Sequence, residues 1–123
     1  MELIRAILFV KDFETMAAFY RDALGLPEVA GTAAPGWVEL GAGAARFGIH
    51  AIPGPIAATI EIANPPVPRE DTPIKLVFRV DDLEAERARL IACGVAMGDL
   101  RPWGSCDGID PEGNVFQLVE ARP

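Results

Sequence analysis

The chain carries one histidine, His50, one serine, Ser105, and two cysteines, Cys93 and Cys106. That inventory limits the chemistry it can do. A histidine titrates near neutral pH, so His50 is the one candidate for a general base, or a ligand contact; at a strand end beside a proline-rich stretch it is equally well a solvated side chain. Ser105 lacks the Gly-x-Ser-x-Gly setting of a serine hydrolase. Cys106 with His50 is a conceivable nucleophile pair, although such a cysteine is more commonly a small buried hydrophobe. Arg5 and Lys75 stand 70 positions apart in similar surroundings. Facing a cavity, two such cations would favour a carboxylate, phosphate or enolate, with Arg5 able to bind it bidentately. Alternatively, each pairs with an internal acid such as Glu39 or Glu120 and ties a sheet together. Trp37 and Trp103 have the large, partly polar surfaces that line ligand pockets, core or interface packing being the alternative.

These residues need elements to hold them, and the chain repeats itself. Ile4, Arg5, Val10, Asp12, Glu14 and Ala18 return 70 positions on as Ile74, Lys75, Val80, Asp82, Glu84 and Ala88, with five of the six pairs identical. Two copies of one supersecondary unit produce this pattern. Each copy opens with strand-like alternation, over 3–10 and 74–80, whose even positions are apolar. Arg5 and Lys75 then point away from the apolar rows, toward the expected cavity. Asp12 and Asp82 sit as N-caps of helices. The first helix carries Phe13, Met16, Ala17, Tyr20 and Leu24 on its apolar face and is closed by Gly25; the second carries Leu83, Leu90 and Ile91 and is closed by Gly94. Glu84 with Arg87, and Glu86 with Arg89, are spaced as solvated pairs one turn apart. Strand candidates follow at 27–30, 37–40 and 45–50, then at 95–98, near Ser105 and at 115–120. Gly41-Ala42-Gly43 reads as a hairpin turn, and so does Asp110-Pro111-Glu112-Gly113-Asn114. The halves thus span 1–51 and 74–123 of a single domain. A linker over 52–73 joins them, stiffened by six prolines and holding one short strand candidate at 59–62.

A chain of 123 residues suffices for one compact domain. With 18 acidic against 11 basic residues its formal net charge is −7, which repels a phosphate backbone and disfavours nucleic-acid binding. No apolar run approaches the roughly 18 residues that cross a bilayer. Two cysteines without CxxC spacing fit reduced thiols, so a cytoplasmic protein without membrane attachment is expected.

Three stretches carry a family resemblance. They are Val10-Lys11-Asp12 through Ala18-Phe19-Tyr20-Arg21-Asp22-Ala23-Leu24-Gly25-Leu26, the echo Phe78-Arg79-Val80-Asp81-Asp82-Leu83-Glu84, and Asp110-Pro111-Glu112-Gly113-Asn114 leading into Phe116-Gln117-Leu118. Together they resemble the vicinal oxygen chelate superfamily, which includes glyoxalase I, extradiol dioxygenases, fosfomycin-resistance enzymes and bleomycin-resistance proteins. Trp37-Val38-Glu39-Leu40, followed by Arg46-Phe47-Gly48-Ile49-His50, is similar to the third and fourth strands of the family's first module. The resemblance implies an α+β fold of two βαβββ modules whose curved sheets close around a small-molecule cavity, with a homodimer as the expected assembly. It also implies a metal position, since enzymes of the family hold a divalent ion with histidines and carboxylates from the first and last strands of each module. Those positions fall here on Arg5, Gly48, Lys75 and Gln117. Guanidinium and ammonium groups offer only protons and repel a cation, so neither a metal nor another cofactor is expected. The expected function is binding of a small organic, anionic molecule without a catalytic metal, with Arg5, Trp37, His50, Lys75, Trp103 and Gln117 as ligand contacts. Two enzymatic alternatives stand beside it. One is a metal-dependent lyase or isomerase of glyoxalase type that holds its ion with Glu39, His50 and Gln117. The other is a metal-free acid–base catalyst using His50, with Arg5 and Lys75 stabilising an enolate.

Overall fold

In a computed structural model, which describes residues 1–120, the alternating run of the first copy forms strand β1 (Arg5–Val10). Asp12 ends the extended chain and starts helix α1 (Phe13–Ala18), its carboxylate accepting from the Thr15 amide at 3.2 Å and the Thr15 hydroxyl at 2.8 Å. The helix continues as a π-helical turn over Phe19–Ala23 and closes at Gly25, whose φ of +76° a side chain would strain. Strands β2 (Trp37–Ala42) and β3 (Ala45–Ala51) follow, then a short helix α2 (Gly54–Ala57). The second copy repeats the plan with β4 (Leu76–Val80), α3 (Leu83–Ala92), β5 (Ser105–Ile109) and β6 (Val115–Glu120). Asp82 caps α3 by accepting from the Ala85 amide at 2.9 Å.

Met1–Glu61 and Ile62–Pro123 form two compact units. Each holds one three-stranded mixed sheet, in the order β1-β3-β2 and β4-β6-β5. The outer strand of each βα unit pairs in parallel with the last strand, and the two late strands pair antiparallel. One face of each sheet packs under its helix. In the first unit Val10, Val38, Leu40, Phe47 and Ile49 are buried with Met16, Ala17 and Tyr20. Tyr20 meets the Phe47 ring edge-on at 4.9 Å and is a core residue. In the second, Leu83 and Leu90 are buried, as are Cys106, Phe116 and Leu118 of the sheet. Each such aliphatic side chain contributes roughly 1.5–3 kcal/mol when fully buried.

Several expectations from sequence are corrected. The segments 27–30 and 95–98 contribute only the isolated bridges Glu28–Leu40 and Met97–Gly108. Each is held by two backbone bonds, Val29 N–H to Glu39 and Gly41 N–H to Pro27 in one case, Gly98 N–H to Asp107 and Ile109 N–H to Ala96 in the other. Pro27 has no amide to extend its ladder, and Gly31 at φ +77° turns the chain away. No strand forms at 59–62, and the linker instead holds α2, whose first residues include Pro55, suited to a helix start. The ill-defined stretch at Ser105 is the regular strand β5. Ile91 is 45% exposed, one helical step away from the buried Leu90. Glu86 pairs with Arg89 as expected, but Arg87 leaves Glu84 and donates to the Gly98 carbonyl at 2.7 Å.

Candidate functional site on the open sheet faces

Strand register makes the open faces of the two sheets comparable residue by residue. Gly48 lies opposite Ile7 on one side and Glu39 on the other; Gln117 lies opposite Val77 and Asp107 in the same way. Two residues before Ile7 and Val77 come the two cations. Arg5 Nε donates to Glu39 Oε1 at 3.1 Å, and Lys75 Nζ donates to Asp107 Oδ2 at 3.1 Å. One cation–carboxylate pair is therefore built twice, from the start of each copy's first strand, where Arg5 opens β1 and Lys75 immediately precedes β4, to its second-to-last.

In the second unit this pair is part of a larger network. Asp107 also receives both terminal nitrogens of Arg101, at 3.2 and 2.8 Å, and Gln117 Nε2 at 3.2 Å. Burial pushes its carboxyl up, yet the bonds from Arg101, Lys75 and Gln117 outweigh that and hold it below the ordinary carboxylate value. Arg101 in turn lies 5.8 Å from the centre of the Trp103 ring, a cation–π distance. Fixed by Asp107, it positions an indole that is 63% exposed.

Further along the strands the copies diverge. In the first unit Phe9, His50 and Trp37 lie side by side, with ring centres 5.3 Å apart for Phe9–His50 and 5.7 Å for Trp37–His50. The Trp37 ring lies over Gly48, where an added Cβ would come within 2.4 Å of it. The matching positions of the second sheet, read from its register, hold Arg79, Val119 and Ser105. There the face is hollowed into a recess of about 440 Å³ lined by Arg79, Trp103, Gly104, Ser105, Gln117 and Val119, with Glu120 at the strand end.

The residues expected from sequence thus fall into two sets. Arg5, Trp37 and His50 share the open face of the first sheet. Lys75 and Gln117 meet at Asp107 in the second unit, and Trp103 joins them through Arg101. Lys75 takes Asp107 as its acid, where Glu39 or Glu120 had been expected. Cys106 is fully buried, its even strand position placing it on the helix-facing side, and burial pushes its thiol up, which disfavours the thiolate that a nucleophile needs. Sequence reasoning missed Asp107, Arg101 and Arg79. Counting back through the hairpin from the Asp110–Asn114 turn, Ile109 with Val115 and then Asp107 with Gln117, would have put Asp107 beside Gln117.

The metal positions inherited from the resemblance do not fit an ion. Arg5 and Lys75 are cations already bonded to Glu39 and Asp107, Gln117 spends its amide N–H on Asp107, and Gly48 has no side chain and lies under an indole. Among the described residues no group of three or more His, Cys, Asp or Glu side chains is placed to hold one. Among them, too, no helix is long and apolar enough to cross a membrane.

Comparison with known proteins agrees with this architecture. The family described as glyoxalase-like domain matches residues 5–119. No curated protein matches the chain. Among solved structures, lactoylglutathione lyase from Agrobacterium tumefaciens is 25% identical with a TM-score of 0.68, over 98% of this chain and 93% of that one. TnmS3, an antibiotic binding protein from Streptomyces sp. CB03234, is 25% identical with a TM-score of 0.69, over 99% and 98%. A glyoxalase/bleomycin resistance protein/dioxygenase family enzyme from Burkholderia phytofirmans PsJN shares the fold at 22% identity and a TM-score of 0.70, over 96% and 97%. With two copies of one α+β unit and a match over nearly its whole length, the chain belongs to the glyoxalase-like domain family of the vicinal oxygen chelate superfamily.

Proposed function

We propose that this protein binds a small organic molecule on its open sheet faces without a catalytic metal. Each unit offers its own candidate contacts, Arg5, Trp37 and His50 in the first and Lys75, Trp103 and Gln117 in the second. The observation that carries this reading is the double cation–carboxylate pair, Arg5 with Glu39 and Lys75 with Asp107, standing where an enzyme of this superfamily would place donors to an ion. A fixed guanidinium or ammonium there repels a divalent ion and leaves hydrogen-bond donors for an organic ligand. Of the lyase and the antibiotic binding protein, each 25% identical, the latter suits that chemistry better. An anionic group on the ligand suits the remaining donors. The acting form is a homodimer, because Ile7, Phe9 and Val77 are half exposed on the open faces and a partner would cover them. Its compartment is the cytoplasm, in keeping with the unpaired Cys93 and Cys106.

The test is a thermal-shift and titration panel of small organic molecules run in EDTA. Saturable binding that persists in the chelator is expected. Binding that appears only when Ni²⁺, Zn²⁺ or Mn²⁺ is restored would overturn the metal-free reading. Light scattering at micromolar concentration should give twice the chain mass, and a monomer would remove the dimer from the account.

A further inference from the structure

The recess of the second unit exists because the duplicated copies carry different side chains at matching positions. Trp37, His50 and Phe9 fill the face in the first; Ser105, Val119 and Arg79 stand in their places in the second. The exchange of an indole for a hydroxymethyl group opens the space that Trp37 occupies in the other copy. It also leaves two polar groups without a protein partner among the described residues, one buried and one in solvent. Ser105 is 2% exposed, and its Oγ is buried with no hydrogen-bond partner among the described residues. A buried hydroxyl in that state destabilises the unliganded protein and gains a bond when an acceptor arrives. Arg79 is exposed and makes no ion pair among the described residues, unlike Arg5, Lys75 and Arg101, whose charges are committed to Glu39 and Asp107. Glu120 also lines the recess at the strand end, and among the described residues it forms no ion pair with Arg79. The recess is thus left with one uncommitted cation, one uncommitted hydroxyl and an aromatic wall, Trp103, held by Arg101. Its volume of about 440 Å³ lies within the range of small-molecule sites.

We infer that this recess is a binding site for an aromatic carboxylate, with the carboxylate on Arg79 and Ser105 and the ring against Trp103. The inference rests on the small-molecule reading above and adds to it two residues and a ligand class. Arg79 is the anchor, since a guanidinium pairs with a carboxylate through two parallel bonds. Ser105 supplies a third donor from the floor. Trp103 supplies the flat apolar surface that separates an aromatic acid from acetate.

The experiment uses the full chain, with 2-naphthoate and its uncharged counterpart 2-naphthamide as probes, followed by calorimetry and amide NMR shifts. 2-Naphthoate should bind saturably, shift the signals of Arg79, Trp103 and Val119, and bind about tenfold or more tightly than 2-naphthamide. Arg79→Ala should weaken it about tenfold or more. Ser105→Ala should weaken it severalfold while leaving the unliganded melting temperature unchanged or higher, a split that a purely structural serine would not produce. Ser105→Trp, which refills the recess as Trp37 does, should abolish binding, and Arg46→Ala, a cation removed from the other unit, should leave it intact. Equal affinity for the two probes, unchanged affinity in Arg79→Ala, or shifts confined to Arg5, Trp37 and His50 would overturn this site while leaving small-molecule binding standing. If no compound of the wider organic panel binds either, both readings fall.

Discussion

At the scale of single residues, Asp107 is the most connected group on either open face, accepting from Lys75, Arg101 and Gln117 at once. Its carboxyl is held below the ordinary value, so the sign of its pH dependence follows. The stability it adds is fully present above the carboxylate pKa of an unfolded chain and is lost as pH falls through its own lower value. Asp107→Asn keeps the size and loses the charge. It should cost about 1–3 kcal/mol near neutral pH, where two cations lose their shared partner. The gap to the wild type should narrow below about pH 4 as the native carboxylate protonates. Thermal melts between pH 7 and pH 3 check this, and a gap constant over that range would contradict it. Gly48 gives a second residue-scale outcome, because a methyl there would meet the Trp37 ring at 2.4 Å. Gly48→Ala should destabilise by about 1–3 kcal/mol. In a Trp37→Ala background the cost should largely vanish, and equal costs in both would show that the indole is not the obstacle. Trp37 was legible as a candidate from residue type, and Gln117 only through the family resemblance that places it at a last-strand ligand position. Asp107 was not, because its strand lacks the apolar alternation that reveals a face: Ser105, Cys106, Asp107 and Gly108 are small or polar.

At the scale of elements, the strands opening each copy and the helices after them were legible because alternation and capping agree there. Asp12 and Asp82 both accept from the amide three residues on. Asp82→Ala should cost about 1 kcal/mol in a urea melt, and a loss below a few tenths would remove the cap from the account. The second strand of each half was overread, since 27–30 and 95–98 have strand-like composition but their neighbouring proline and glycines stop the ladder after one bridge. The Asp110–Asn114 turn was read correctly, and the structure adds why its glycine is required. Gly113 has φ +83°, its carbonyl accepts from the Arg69 amide at 2.9 Å, and a Cβ would sit 2.2 Å from the Val67 carbonyl oxygen. Gly113→Ala should therefore destabilise by more than about 2 kcal/mol in the same melt, well beyond the cost of an ordinary loop substitution. A change under about 1 kcal/mol would mean that Val67 yields freely.

At the scale of the whole molecule, a duplicated unit keeps its scaffold and varies its open face. Both copies retain the cation–carboxylate pair, while aromatic rings fill one face and the other is hollowed. The duplication was legible because five of six matched residues repeat at a constant spacing. Most of the divergence was hidden, because Trp37 to Ser105 and His50 to Val119 lie in strands matched by spacings of 68 and 69 residues, unlike the 70 of the first strands that relates Phe9 to Arg79. The claim on which the functional account depends is that the positions inherited from metal enzymes now hold donors of protons, fixed by their own carboxylates. The most direct measurement is elemental analysis of the purified chain followed by calorimetric titration with Ni²⁺, Zn²⁺ and Mn²⁺. The account predicts substoichiometric metal as purified and no saturable tight binding of any of the three. One equivalent of ion bound tightly, and lost on substitution of Glu39, His50 or Gln117, would contradict it.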